Sequence, residues 1–126
     1  MTTHKGEVIK GKGEATKIGF PTANIVLQNP GEPGIYAGYA LLGEEHHKAA
    51  LYISKNNPSV IEVHVLDFEG ELYGKEICVK ICEKIRDDFE IADTEKLKEL
   101  IANDIEMIRI ELDKSDKNWN EGPIVC

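Results

Sequence analysis

The sequence predicts a mainly β domain: a closed antiparallel barrel of about six strands with a C-terminal amphipathic helix packed on it. Three observations carry this. Short β-rich runs separated by Gly, Pro and Asn clusters fill the first four fifths of the chain. The apolar period then changes from 2 to about 3.6. The late helix has one apolar stripe, so it should lie on the sheet and not stand free. At 126 residues, 41% hydrophobic and 30% charged, the chain can bury one modest core.

Taken in order, residues 6–10 (GEVIK) form a short alternating strand. Residues 20–27 (FPTANIVL) start extended, because Pro21 forces Phe20 out of the helical region. The cluster Asn29-Pro30-Gly31-Glu32-Pro33-Gly34 breaks the chain. Residues 35–42, 48–53 and 60–67 follow as β-rich runs. Leu66 to Tyr73 reads as a hairpin, with Gly70 supplying a positive φ. Residues 75–85 (KEICVKICEKI) alternate as a half-buried strand does. From Asp93, a plausible N-cap, Leu97, Leu100, Ile101, Ile105, Ile108 and Leu112 recur at three and four, with Glu95 at the positive end of the dipole. One domain spanning 1–126 is expected: barrel about 4–90, helix about 93–113, polar tail 114–126. Closing the sheet removes edges that a small β domain must otherwise protect.

Composition excludes several classes. No apolar run approaches the roughly 20 residues that span a bilayer. Met1 to Glu7 has no apolar h-region, so it is no signal peptide, and a cytoplasmic protein without a membrane partner is expected. A net charge of −8 argues against nucleic acid, whose phosphates need clustered Lys and Arg. A monomer is expected. Three cysteines make an odd count and no disulfide framework. On one strand Cys78 and Cys82 would share a face about 13 Å apart, too far to bridge, and read as small core residues.

The most informative stretch is Gly11-Lys12-Gly13-Glu14-Ala15-Thr16-Lys17-Ile18-Gly19-Phe20-Pro21-Thr22-Ala23-Asn24. Its glycines let backbone N–H groups approach an anion, and Lys12 and Lys17 add positive charge to an acidic chain. It lacks the Gly-Lys-Ser/Thr end of a P-loop and the spacing of a dinucleotide-binding fingerprint. Taken blind, such a connection is more often a plain surface loop. In an extended segment Thr22 and Asn24 point the same way. Their hard oxygens suit Mg²⁺ that also holds substrate phosphates, or else they satisfy a turn locally. On chemistry alone the two readings are equal.

Gly11-x-Gly13 followed by Gly19-Phe20-Pro21-Thr22-Ala23-Asn24-Ile25 resembles the signature of the riboflavin kinase (flavokinase) family. The similarity continues through Pro33-Gly34-Ile35-Tyr36-Ala37-Gly38, Glu62-Val63-His64-Val65-Leu66-Asp67-Phe68, Leu72-Tyr73-Gly74-Lys75, Ile85-Arg86 and the helix to Asp104. It covers roughly residues 6–112, and the Pro-Thr-Ala-Asn and Glu-Val-His blocks together make it specific. The resemblance implies transfer of the γ-phosphate of ATP to the 5′-hydroxyl of riboflavin, giving FMN and ADP. It implies that Thr22 and Asn24 bind Mg²⁺ and the nucleotide phosphates, with Zn²⁺ and Mn²⁺ left open as alternatives. Gly11, Lys12, Gly13, Lys17, Gly19 and Pro21 would fold over ATP, and Arg86 would meet flavin or phosphate.

Glu62 would be the catalytic base. It sits mid-strand on one face with His64 and Leu66, opposite Ile61, Val63 and Val65, and a carboxylate beside a primary alcohol can take its proton. Without the family, a carboxylate on the wet outer face is the simpler reading. His64 reads as a structural hydrogen-bonder. The sequence departs from the family at Asn57-Pro58-Ser59-Val60-Ile61, where the loop before Glu62 is short, and after Arg86, where Phe89 comes early. A flavin- or nucleotide-binding module that has lost turnover is the alternative the short loop favours. With no adenylyltransferase region before it, the chain is expected to stop at FMN.

If the segment from Gly11 to Gly19 covers nucleotide, its amide hydrogen exchange should slow when ATP and Mg²⁺ are added, because its glycines give it few contacts of its own. Equal exchange with and without nucleotide would count against that role.

Overall fold

The computed structural model describes residues 2–9, 19–68, 70–88 and 91–119. Six strands, β1 (Thr2–Glu7), β2 (Ala23–Val26), β3 (Gly34–Leu42), β4 (Glu45–Ser54), β5 (Asn57–Val65) and β6 (Glu76–Arg86), precede one helix, α1 (Thr94–Trp119). Every strand pairing is antiparallel, in the order β1-β6-β3-β4-β5-β2. The two edge strands meet: just past β1, the Ile9 N–H donates to the Asn24 carbonyl at 2.8 Å. The sheet is thereby a nearly closed barrel, as the sequence predicts.

Alternation sorts the side chains. Ile61, Val63 and Val65 of β5 join Ile25, Leu51, Ile53, Ile77 and Val79 in one cluster, the barrel interior. Ile35, Ala37, Tyr39, Ala50 and Cys78 face the other way and meet Ile108 and Leu112 of α1. Both helix residues are completely or nearly completely buried, and each contributes roughly 1.5–3 kcal/mol of hydrophobic stabilisation. The opposite flank of α1 leaves Met107 and Ile110 exposed. Gly38 marks the tightest backbone approach. A Cβ there would lie 2.0 Å from the Lys80 carbonyl oxygen, beside the irregularity in β3–β6 register at Ala37/Gly38.

The helix starts as expected: the Asp93 carboxylate accepts the Glu95 and Lys96 N–H groups at 2.9 and 3.1 Å. It ends later, at Trp119, so the first part of the expected polar tail is helical. Residues 66–73 are not a hairpin. Gly70 does have positive φ (144°), but β5 and β6 are not neighbours, and the segment crosses from one to the other past β3 and β4. β1 also begins earlier than the alternation at residues 6–10 implies, because its partner β6 pairs with it back to Thr2. Cys82 is a free thiol whose pKa burial raises, while Cys78 is disulfide-bonded and not the plain core residue the sequence suggests.

One ion pair fastens α1 to the barrel. Arg86 donates from Nε and Nη2 to the two Asp104 oxygens, both at 2.8 Å, and from Nη1 to the Asp87 carbonyl at 3.0 Å. The Asp104 side chain is 2% exposed and that of Arg86 18%. Removing one partner strands a buried charge. Arg86→Met should therefore cost about 3–5 kcal/mol of unfolding free energy, and Arg86→Met with Asp104→Leu should recover most of it. Chemical denaturation of the three proteins checks this; equal losses in single and double variants would refute it.

Candidate active site

Strand register builds the site. Asn24 on β2 stands opposite Glu62 on β5. Glu62 stands opposite Tyr52 on β4, Tyr52 opposite Ile35 on β3, and Ile35 opposite Arg86 on β6. Directly opposed residues share a face, so these five form one row across the outer surface of the barrel. Thr22, two residues before Asn24, joins the same face. The row runs from the Pro-Thr-Ala-Asn segment to the root of α1.

At one end, the Thr22 hydroxyl donates to Glu62 Oε1 at 3.3 Å, a long bond. Thr22 and Glu62 are half-buried, and Asn24 is 8% exposed. The Asn24 backbone carbonyl is taken by Ile9, whereas its side-chain amide has no hydrogen-bond partner among the described residues. Hydroxyl, amide carbonyl and carboxylate oxygens are hard donors of the kind that hold a hydrated Mg²⁺ together with phosphate oxygens. No cluster of three or more His, Cys, Asp or Glu suited to a metal occurs among the described residues. A metal here would share its coordination with substrate and water.

His64 props this end up. Its Nδ1–H donates to the Pro21 carbonyl at 2.7 Å, and its ring meets Phe20 edge-on, centroids 5.8 Å apart. The imidazole thus fixes the backbone entering Thr22, a structural hydrogen bond of the kind expected for it. Between Glu62 and Arg86 lies Tyr52, whose hydroxyl is buried without a hydrogen-bond partner. Burial raises its pKa well above the ordinary phenol value, the Asp104 carboxylate raises it further, Arg86 opposes, and Glu62 adds to it.

Of the residues singled out in the sequence, Thr22, Asn24 and Glu62 converge at one point, with Pro21 tied to them through His64. Gly19 is exposed, with φ of 95°, a conformation that favours glycine. Gly11, Lys12, Gly13 and Lys17 lie outside the described residues. Arg86 stands at the far end of the row, with each of its three nitrogens donating within the protein. Tyr52 and Asp104 were not singled out as site residues. Only cross-strand register and helix docking bring them there, so no local pattern signals them. The shortened segment before Glu62 is a two-residue turn, Lys55-Asn56, that joins β4 directly to β5.

The family model for riboflavin kinase (flavokinase) matches residues 1–112. The chain belongs to the riboflavin kinase family. An RNA-binding riboflavin kinase of Bacillus subtilis is 32% identical over 115 residues, 86% of this chain and 50% of that protein. A bifunctional riboflavin kinase/FMN adenylyltransferase of Escherichia coli K12 is 38% identical over 108 residues, 79% of this chain and 34% of that protein. The chain therefore spans half or less of these curated relatives. In fold, this riboflavin kinase family member superimposes on the crystal structure of riboflavin kinase from Trypanosoma brucei with a TM-score of 0.71 at 21% identity, covering 98% of this chain and 91% of that one.

His64→Phe tests the prop. It keeps a ring against Phe20 but cannot donate to Pro21, so stability should fall by about 1 kcal/mol, one ordinary hydrogen bond. Amide exchange at residues 22–24 should quicken with it. Unchanged exchange there would show that the imidazole does not hold the segment.

Proposed function

We propose that this chain transfers the γ-phosphate of ATP to the 5′-hydroxyl of riboflavin, giving FMN and ADP. The observation that carries the reading is the meeting of Thr22, Asn24 and Glu62 in a riboflavin kinase family chain. Side chains 40 residues apart in sequence are joined by one hydrogen bond, with the largely buried Asn24 paired to Glu62 in strand register beside them.

The division of labour follows from the chemistry. Thr22 and Asn24 offer the oxygens that would hold a divalent cation, and Mg²⁺ is the ion we favour. Such an ion, when bound, would supply positive charge to offset the negative charge that develops on the transferred phosphate. The Thr22 hydroxyl can turn its lone pairs outward while its proton stays on Glu62, so the two roles do not compete. Glu62 takes the proton of the riboflavin 5′-hydroxyl as that oxygen bonds to the γ-phosphorus and the bond to the ADP oxygen breaks. The segment from Gly11 to Gly19 would cover the nucleotide, and riboflavin would lie along the outer row between Glu62 and α1. The RNA-binding property in the name of the Bacillus subtilis relative does not transfer to a chain of net charge −8. A cytosolic location is part of the same proposal, since ATP is the donor.

Purified protein with riboflavin, ATP and Mg²⁺, followed by chromatography, should yield FMN; none formed at high enzyme concentration favours a binding module. Glu62→Gln keeps shape and a hydrogen-bonding oxygen but cannot accept the proton, so turnover should fall about 10²–10⁴-fold with ATP affinity little changed. Thr22→Val replaces a metal-facing oxygen with a methyl group and should weaken Mg²⁺·ATP itself. If Glu62→Gln makes FMN at a near-normal rate, the assignment of the base is wrong.

A further inference from the structure

Tyr52 belongs to no motif, yet it occupies the middle of the row. It is directly opposite Glu62 on one side, and the Arg86–Asp104 pair lies on the other. Its ring packs against the cluster that α1 buries, and its hydroxyl is closed to solvent with no hydrogen-bond partner. A buried hydroxyl in that state destabilises the fold, and phenylalanine would fill the same space without the penalty. A group that costs stability where an apolar substitute fits is accounted for when a ligand completes it.

We propose that Tyr52 is a substrate-contacting residue whose hydroxyl hydrogen-bonds the hydroxyl-bearing chain of the acceptor, and so selects a polyol chain over an apolar one. This rests on the reading of the site as one that phosphorylates riboflavin. An acceptor whose terminal hydroxyl meets Glu62 and whose ring system lies toward α1 must lay its intervening carbons over Tyr52. Those carbons carry hydroxyls in the ribityl chain, each able to donate and accept. Because burial and the neighbouring carboxylates keep the phenol protonated through neutral pH, it serves as a donor as well as an acceptor. A pocket built to bond a hydroxyl rejects analogues that lack it, since its own polar group is then left unpaired.

The test compares Tyr52→Phe with the unaltered chain against two flavins: riboflavin, and lumiflavin, which keeps the ring system and has no hydroxyl-bearing chain. Flavin fluorescence reports binding in the presence of ADP and Mg²⁺, and FMN formation reports turnover. Loss of one neutral hydrogen bond should weaken riboflavin binding about three- to ten-fold, with the same rise in its KM. Lumiflavin binding and the KM for ATP should not move. The melting temperature should rise by roughly a few degrees, as removal of an unsatisfied hydroxyl requires. A merely structural tyrosine would change both flavins in parallel or neither, and either result overturns the proposal. An unaltered chain that neither binds nor phosphorylates riboflavin overturns the functional reading itself, and this inference with it.

Discussion

The pairing of β2 with β5 places Asn24 against Glu62, and the rest of the site depends on that register. Side chains on a strand alternate, so a slip of one residue would turn Glu62 into the barrel and push Ile61 or Val63 outward. The interior prevents this. Ile61 and Val63 are completely or nearly completely buried, as are Ile25 and Leu51 paired with them on the neighbouring strands, and none could be exchanged for a carboxylate without stranding a charge. The hydrophobic core thus sets the position of the polar row on the other side of the sheet to within one residue.

That arrangement explains how a small chain supports a site on its outside. The barrel's apolar content is committed to its own interior, and α1 covers only the flank over β3, β4 and β6. Among the described residues the helix does not cover the outer face of β2 and β5, which gives one rigid wall and one docked wall with polar groups between them. Arg86 and Asp104 set the distance between the walls. A bidentate guanidinium–carboxylate pair has fixed geometry, so it positions the helix more sharply than apolar contact does. A second pair, Arg109 with Asp67 at 2.8 and 2.9 Å, repeats the arrangement one turn along on the exposed side.

The site joins groups of unequal rigidity. Glu62 sits mid-strand in β5, and Tyr52 lies within β4, two residues before its end. Thr22 sits in irregular backbone just before β2, held from outside by the His64–Pro21 hydrogen bond. Under the proposed function, the oxygens that would follow a metal and a triphosphate lie on the irregular segment, and the carboxylate that would meet a hydroxyl lies on a strand. Such a division suits phosphoryl transfer, in which positioning supplies most of the catalysis.

Much of this was legible in the chain itself. The change from period 2 to period 3.6 determined a β barrel followed by a helix, because burial on one face leaves that signature however the elements are arranged. The Asp93 cap was readable because its bonds reach only three residues along. Thr22, Asn24 and Glu62 were recognisable because their motifs are contiguous. What the tertiary structure alone decided involves partners far apart in sequence. The polar strand β1 has little apolar pattern and exists because β6 pairs with it. The segment after Leu66 has the turn residues of a hairpin but connects strands that never meet, since β3 and β4 lie between them. Tyr52 looked like one more aromatic in a strand. Only registry against Glu62 and docking of Asp104 placed it between those two carboxylates, because cross-strand and helix–sheet contacts depend on a closure that no local stretch of residues encodes.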